Sequence, residues 1–310
     1  DTIASDLDLN RVIFDVLPQM EDSLATQQYL NLFDSVDFEV YRLGYFYDTI
    51  TRVHSNLELL FDGLKNPYLR GPIVDVFSFY LTKDSTFVEQ LKPQHSIFKD
   101  IYKQMLDTIS ISSMGYESGS EIYGVLNVLT QLGGAPDLVD QTYKLLNANH
   151  YSTRVAAVLE LLKHGVTIKK KDFKKLLENK EESYELLYSL NKNGYQNLLS
   201  ANVDQKQVAE IFLRSELYYE DYYEVDLKLL EIATTELNGE RVRVYIYAYT
   251  SEYDDTPYLA YTAAQPDSKE INFEEGYTST WAGEFTSSTY EKRKKEIIEE
   301  VVGYLTKKPD

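Results

Sequence analysis

Three apolar helical runs in this chain each stop at a glycine, Gly133, Gly165 and Gly194, at spacings of 32 and 29 residues. A glycine directly after an apolar run marks the left-handed cap that ends a helix. A near-constant interval between such caps is what stacked helix-turn-helix units produce. The runs, residues 125–132, 158–164 and 185–193, carry leucine and valine at helical spacing. The chain is therefore constrained to an α-helical array whose units each bury one face against the next.

Helical spacing also extends upstream, through Leu24, Tyr29, Leu30 and Phe33 and then Leu57, Leu60, Phe61 and Leu64. Asn66-Pro67 is expected to close one segment and Gly71-Pro72 to open the next, and Lys92-Pro93 separates Phe87 to Leu91 from a helix holding Phe98, Ile101, Tyr102 and Met105. The small, polar stretch 110–120 reads as a surface loop. Ser152 is placed to cap the helix that carries Val155 and Val158. In its leucine pairs and inter-helix turns, the stretch from about residue 20 to 215 resembles the HEAT and armadillo helical repeats. The short units, without a regular aspartate-arginine ladder, fit a tetratricopeptide-like or irregular array as well.

The character changes near residue 216, where Tyr218 to Glu224 is polar and aromatic with no clear helical face. From Glu240 to Thr250 the alternation is strict. Val242, Val244, Ile246 and Ala248 share one face, and Tyr245, Tyr247 and Tyr249 the other, as in a half-buried strand. Asn238-Gly239 is a hairpin signal before it, and Tyr258 to Ala264 reads as a partner strand. Ile297, Ile298, Val301, Val302 and Leu305 then give an amphipathic helix able to cover the sheet. The expected fold class is mainly α: an irregular helical-repeat domain over residues 1–216, followed by a small α+β domain over 217–310 with an antiparallel sheet and a C-terminal helix. The stretch from Tyr258 to Pro266 with the last helix resembles the tails of large envelope-associated bacterial proteins of unknown function.

Charge narrows the partners. With 31 basic and 50 acidic residues the formal charge is -19, which repels a phosphate backbone, so nucleic acid is not the expected partner. The chain has no cysteine, which removes disulfides, thiolate catalysis and cysteine-bound metals, and fits a cytoplasmic or an envelope setting alike. No stretch has the roughly 20 apolar residues of a membrane span. The chain begins at Asp1, as expected of a processed form or of a segment from a longer protein.

No motif for chemistry survives inspection. His54, His95, His150 and His164 lack zinc-site spacing, so capping or surface roles are expected of them. Asp6 to Asn10 imitates a calcium loop but has Arg11 where glycine is needed and Leu17 where glutamate belongs. Ser96-Ile97-Phe98-Lys99 stands without the companion motifs of penicillin-recognising enzymes, and Gly115 to Gly119 is out of register for a nucleophile elbow. No phosphate-binding glycine loop occurs. The acidic loop Glu252 to Asp255 is ordinary in so acidic a chain. No catalytic, cofactor or metal site is expected.

Two surfaces remain. Lys169, Lys170, Lys171, Lys174 and Lys175 form a basic island suited to an acidic protein partner. The tyrosines Tyr245, Tyr247, Tyr249 and Tyr261, with Trp281, could instead stack on glycan rings or be buried against the helices. The leading expectation is a non-enzymatic protein-interaction module within a larger envelope or secreted protein. The alternatives are a carbohydrate-binding or processing protein using the tyrosine face, and an accessory region of an enzyme whose catalytic domain lies upstream.

Overall fold

A computed structural model describes Leu24 and residues 57–84, 86–111, 114–179, 182–221, 225–237, 240–251, 254–264, 277–279 and 282–307. Expectations placed on Trp281, His54, Asn238-Gly239 and the segment around Tyr29 lie outside these residues. The chain is mainly helical, with an antiparallel sheet and a helix after it. It divides into two compact units, residues 1–166 and 167–310. The change of character near residue 216 thus falls inside the second unit.

In the first unit the described helices are α1 (Leu57–Gly63), α2 (Pro67–Lys83), α3 (Phe87–Leu91), α4 (His95–Thr108), α5 (Tyr116–Leu132), α6 (Val139–Lys144) and α7 (Tyr151–Lys163). The central helix is α5, which packs against α2, α4 and α7. Its Ile122, Val125, Leu126, Val128 and Leu129 are fully buried. Phe77 anchors the α2 side, its ring centroid 5.5 Å from Phe61, 6.0 Å from Phe87 and 5.9 Å from Phe98. Such pairs add about 0.5–1.5 kcal/mol each beyond area burial.

Three local expectations are corrected. Pro67 opens α2 and Pro72 lies inside it, because Gly71 has no Cβ to clash with the following proline ring. The 110–120 stretch is not a loop throughout, because α5 already starts at Tyr116. Its small residues serve packing: a Cβ on Gly119 would collide with His150, and Thr153 Oγ1 donates to Gly119 O at 2.7 Å. The N-cap of α7 is His150 rather than Ser152.

All three marker glycines have positive φ: 127° at Gly133, 72° at Gly165 and 80° at Gly194. Each sits in the same pair of bonds. Gly134, Val166 and Tyr195 donate back to Leu129, Leu161 and Leu190 at 2.8, 2.9 and 2.8 Å. Gly133, Gly165 and Gly194 donate to Thr130, Leu162 and Asn191. This is the Schellman motif, and it satisfies carbonyls that the helix end leaves open.

The second unit contains α8 (Lys170–Leu176), α9 (Ser183–Lys192), α10 (Gln196–Ser200) and α11 (Gln205–Asp221), then β1 (Val225–Leu237), β2 (Glu240–Ser251), β3 (Asp254–Ala264), β4 (Tyr277–Ser279) and α12 (Tyr290–Lys307). The expected linker at Tyr218 is helical as far as Asp221. The sheet is an antiparallel meander in the order β1-β2-β3-β4, with a register shift between Leu229 and Glu231. Both faces are covered. Val242, Val244, Ile246, Leu259 and Tyr261 pack with Ile297 and Val301 of α12. Tyr245, Tyr247, Tyr249 and Ala260 pack with Ala209, Leu213 and Leu217 of α11.

Candidate functional site: a lysine face on a short helix

Helix α8 is seven residues long and amphipathic, with Phe173 and Leu176 buried. Lys170, Lys171, Lys174 and Lys175 are exposed, as is Lys169 at its N-cap. At 3.6 residues per turn, Lys170 with Lys174 and Lys171 with Lys175 form two columns on the side away from Phe173 and Leu176. Each column is a like-charge pair one turn apart, which weakens a helix by about 0.2–0.5 kcal/mol. Lys170 and Lys171 also occupy the first turn, where the helix dipole disfavours cations.

A second basic run in the same unit gives the comparison that matters. On α12, Lys292, Arg293, Lys294 and Lys295 are each paired with a carboxylate. Lys294 meets Glu231 of β1 at 2.6 Å, and Tyr290 donates to the same carboxylate at 3.2 Å. The Lys294 ammonium holds the Glu231 carboxyl below its usual range. By contrast Lys170, Lys171 and Lys174 make no ion pair among the described residues. Composition alone does not separate the two runs: every cation of the α12 run has a carboxylate within 3.7 Å, whereas three lysines of α8 have none among the described residues.

The tyrosine platform is corrected. Tyr245 and Tyr247 are 1% exposed and Tyr261 0%, and Tyr249 is buried beside them. A stacking platform needs an open ring face, and α11 occupies it. Tyr261 is also on the opposite side of the sheet, because it pairs with Ile246 rather than with a tyrosine of β2. Burial raises the Tyr247 phenol far above its ordinary value, with Glu210 adding to the effect, and its hydroxyl has no hydrogen-bond partner.

Sequence reading missed a polar cluster in the first unit. Glu160 is 0% exposed on the apolar side of α7. Its Oε1 accepts from Ala135 N at 2.6 Å and from His164 Nε2 at 3.0 Å, and its Oε2 lies 2.8 Å from Thr130 Oγ1. His95 Nε2 lies 2.8 Å from Gly134 O, and any Cβ on Gly134 would collide with His164 and Glu160. The cluster ties the turn after α5 to α7. The available signal was a lone glutamate inside the apolar run 158–162.

The remaining polar motifs take structural roles. Lys99, of the Ser96 motif, is paired with Asp137 at 2.8 Å. His150 Nδ1 lies 2.9 Å from Thr153 Oγ1 and accepts from Thr153 N, the bond by which the imidazole caps α7. Among the described residues no group of three or more histidine, aspartate or glutamate side chains could hold a metal, and no helix is long and apolar enough to cross a membrane. No protein-family model, curated protein or solved structure matches this chain, so the functional argument rests on its own residues.

Proposed function

We propose that the protein is a non-enzymatic interaction module that engages a protein partner through the lysine face of α8. The observation carrying this reading is the contrast between two basic runs: each cation of α12 meets a carboxylate, whereas Lys170, Lys171 and Lys174 of α8 have no ion pair among the described residues, at a cost to their own helix. What supports an envelope or secreted setting, within a larger protein, is the likeness of the C-terminal strand and helix alone.

The test is capture by the immobilised intact chain from its source extract, run beside a variant with Lys170, Lys171 and Lys174 changed to Glu. A protein retained by the parent and lost with the variant supports the reading. Equal retention by both removes α8 from the interface.

A further inference from the structure

Resting on that reading, the chemistry opposite α8 can be narrowed. One helical turn separates the members of each lysine column, a rise of about 6 Å over four residues. Alternate carboxylates along an extended chain stand about 6.6 Å apart, and carboxylates four apart on a helix about 6 Å. Either form of an acidic segment can therefore match Lys170 with Lys174, and the flexible lysine stems absorb the small difference.

A phosphate polymer matches the island less well. Double-stranded nucleic acid carries a charge about every 1.7 Å along its axis and extends well beyond one short helix. The attraction of the island fades over about 8 Å in physiological salt. Beyond that distance such a polymer meets a chain of formal charge -19. A segment with a handful of carboxylates touches the lysines and ends before that repulsion accumulates.

We infer that the face formed by Lys170, Lys171 and Lys174 docks an acidic segment of a protein partner, with carboxylates recurring about one helical turn apart. The contact is electrostatic and exposed, so it is fast, weak and salt-sensitive.

The test uses the intact chain and three labelled probes: a short peptide alternating Glu and Ser, its counterpart with Gln for Glu, and a single-stranded oligonucleotide of equal charge. The chain variant is K170E/K171E. This change places acids in the first turn of α8 and sets each against a lysine one turn on, so it preserves the helix while removing the cationic face. The expected result is binding of the Glu peptide alone. Its affinity falls about tenfold or more in K170E/K171E and again when salt rises from ~50 to ~300 mM.

Equal binding of the Glu peptide by parent and variant overturns the inference, as does absence of peptide binding or tighter binding of the oligonucleotide. The two readings fail separately. Lysine-dependent capture of a protein without peptide binding sinks the acidic-segment inference and leaves the interaction module standing, whereas capture that ignores the lysines sinks both.

Discussion

Replacing Glu160 by alanine or by glutamine separates the shape of its hydrogen-bond network from its charge. Glu160 is 0% exposed and holds Ala135 N, Thr130 and His164. Alanine removes every acceptor at once. The buried Ala135 amide then lacks a partner, a loss of about 1–3 kcal/mol, and the bonds to Thr130 and His164, at about 1 kcal/mol each, bring the total to about 3–5 kcal/mol. Glutamine behaves differently. Its carbonyl oxygen, in the place of Oε1, still accepts from Ala135 N and His164. Its amide, in the place of Oε2, donates to Thr130 Oγ1, whose own proton then turns from the acid to Leu126 O, 2.7 Å away. No donor is orphaned, so E160Q is expected to cost under about 1.5 kcal/mol.

At about 2–4 °C per kcal/mol for a unit of this size, alanine lowers the thermal midpoint by roughly 6–20 °C and glutamine by a few degrees. Calorimetry reads the midpoint, and hydrogen exchange of the Ala135 amide reads the turn directly. If glutamine destabilises as much as alanine, the carboxylate charge rather than the bonded geometry holds the turn, and the account above is refuted.

Three further outcomes follow from the same structure. K170E/K171E should raise the stability of the second unit by about 0.2–0.5 kcal/mol for each new opposite-charge pair on α8; denaturant melts showing a loss instead would mean those lysines have partners that hold the fold. Tyr247→Phe should be neutral or stabilising by up to about 1 kcal/mol, since the hydroxyl is buried without a partner, while Tyr247→Ala should cost about 3–5 kcal/mol, and equal losses in the two melts would contradict this. Burial, then Arg154, holds the His150 imidazole below its ordinary value. The folded unit therefore favours the neutral ring, a contribution present above pH ~6.5 and lost as pH falls through the folded value. The stability difference between the parent and His150→Asn should shrink between pH ~7.5 and ~5, and a flat difference would contradict the assignment.

The elements legible in the sequence were those whose cause is local. A glycine at a helix end and strict alternation along β2 are properties of a few neighbouring residues, and Gly133, Gly165, Gly194 and the two faces of β2 lie where the pattern put them. What escaped depends on distant partners. The helical start of α5 rests on Gly119 meeting His150, and the polar role of Glu160 rests on a turn 25 residues earlier in the chain. The fate of the tyrosine row was undecidable from alternation, since a ring beneath α11 and a ring open to a ligand have the same spacing. The lysine island was visible by composition, yet its difference from the α12 run required knowing that Lys294 reaches Glu231.

The meander order of the sheet bears on how the second unit comes together. Every strand pairs with its neighbour in sequence, and only two residues separate β1 from β2 and β2 from β3, so closing that three-strand ladder carries a small entropic penalty and such local wiring favours rapid assembly. The two covering helices arrive from opposite directions along the chain. α11 precedes the strands and can receive Tyr245 and Tyr247 as β2 forms, whereas the face bearing Val242, Val244 and Ile246 stays wet until α12 docks. During that interval the nascent unit presents a sticky aliphatic surface, and delayed docking of α12, rather than strand pairing, is where misassembly and chaperone dependence would concentrate.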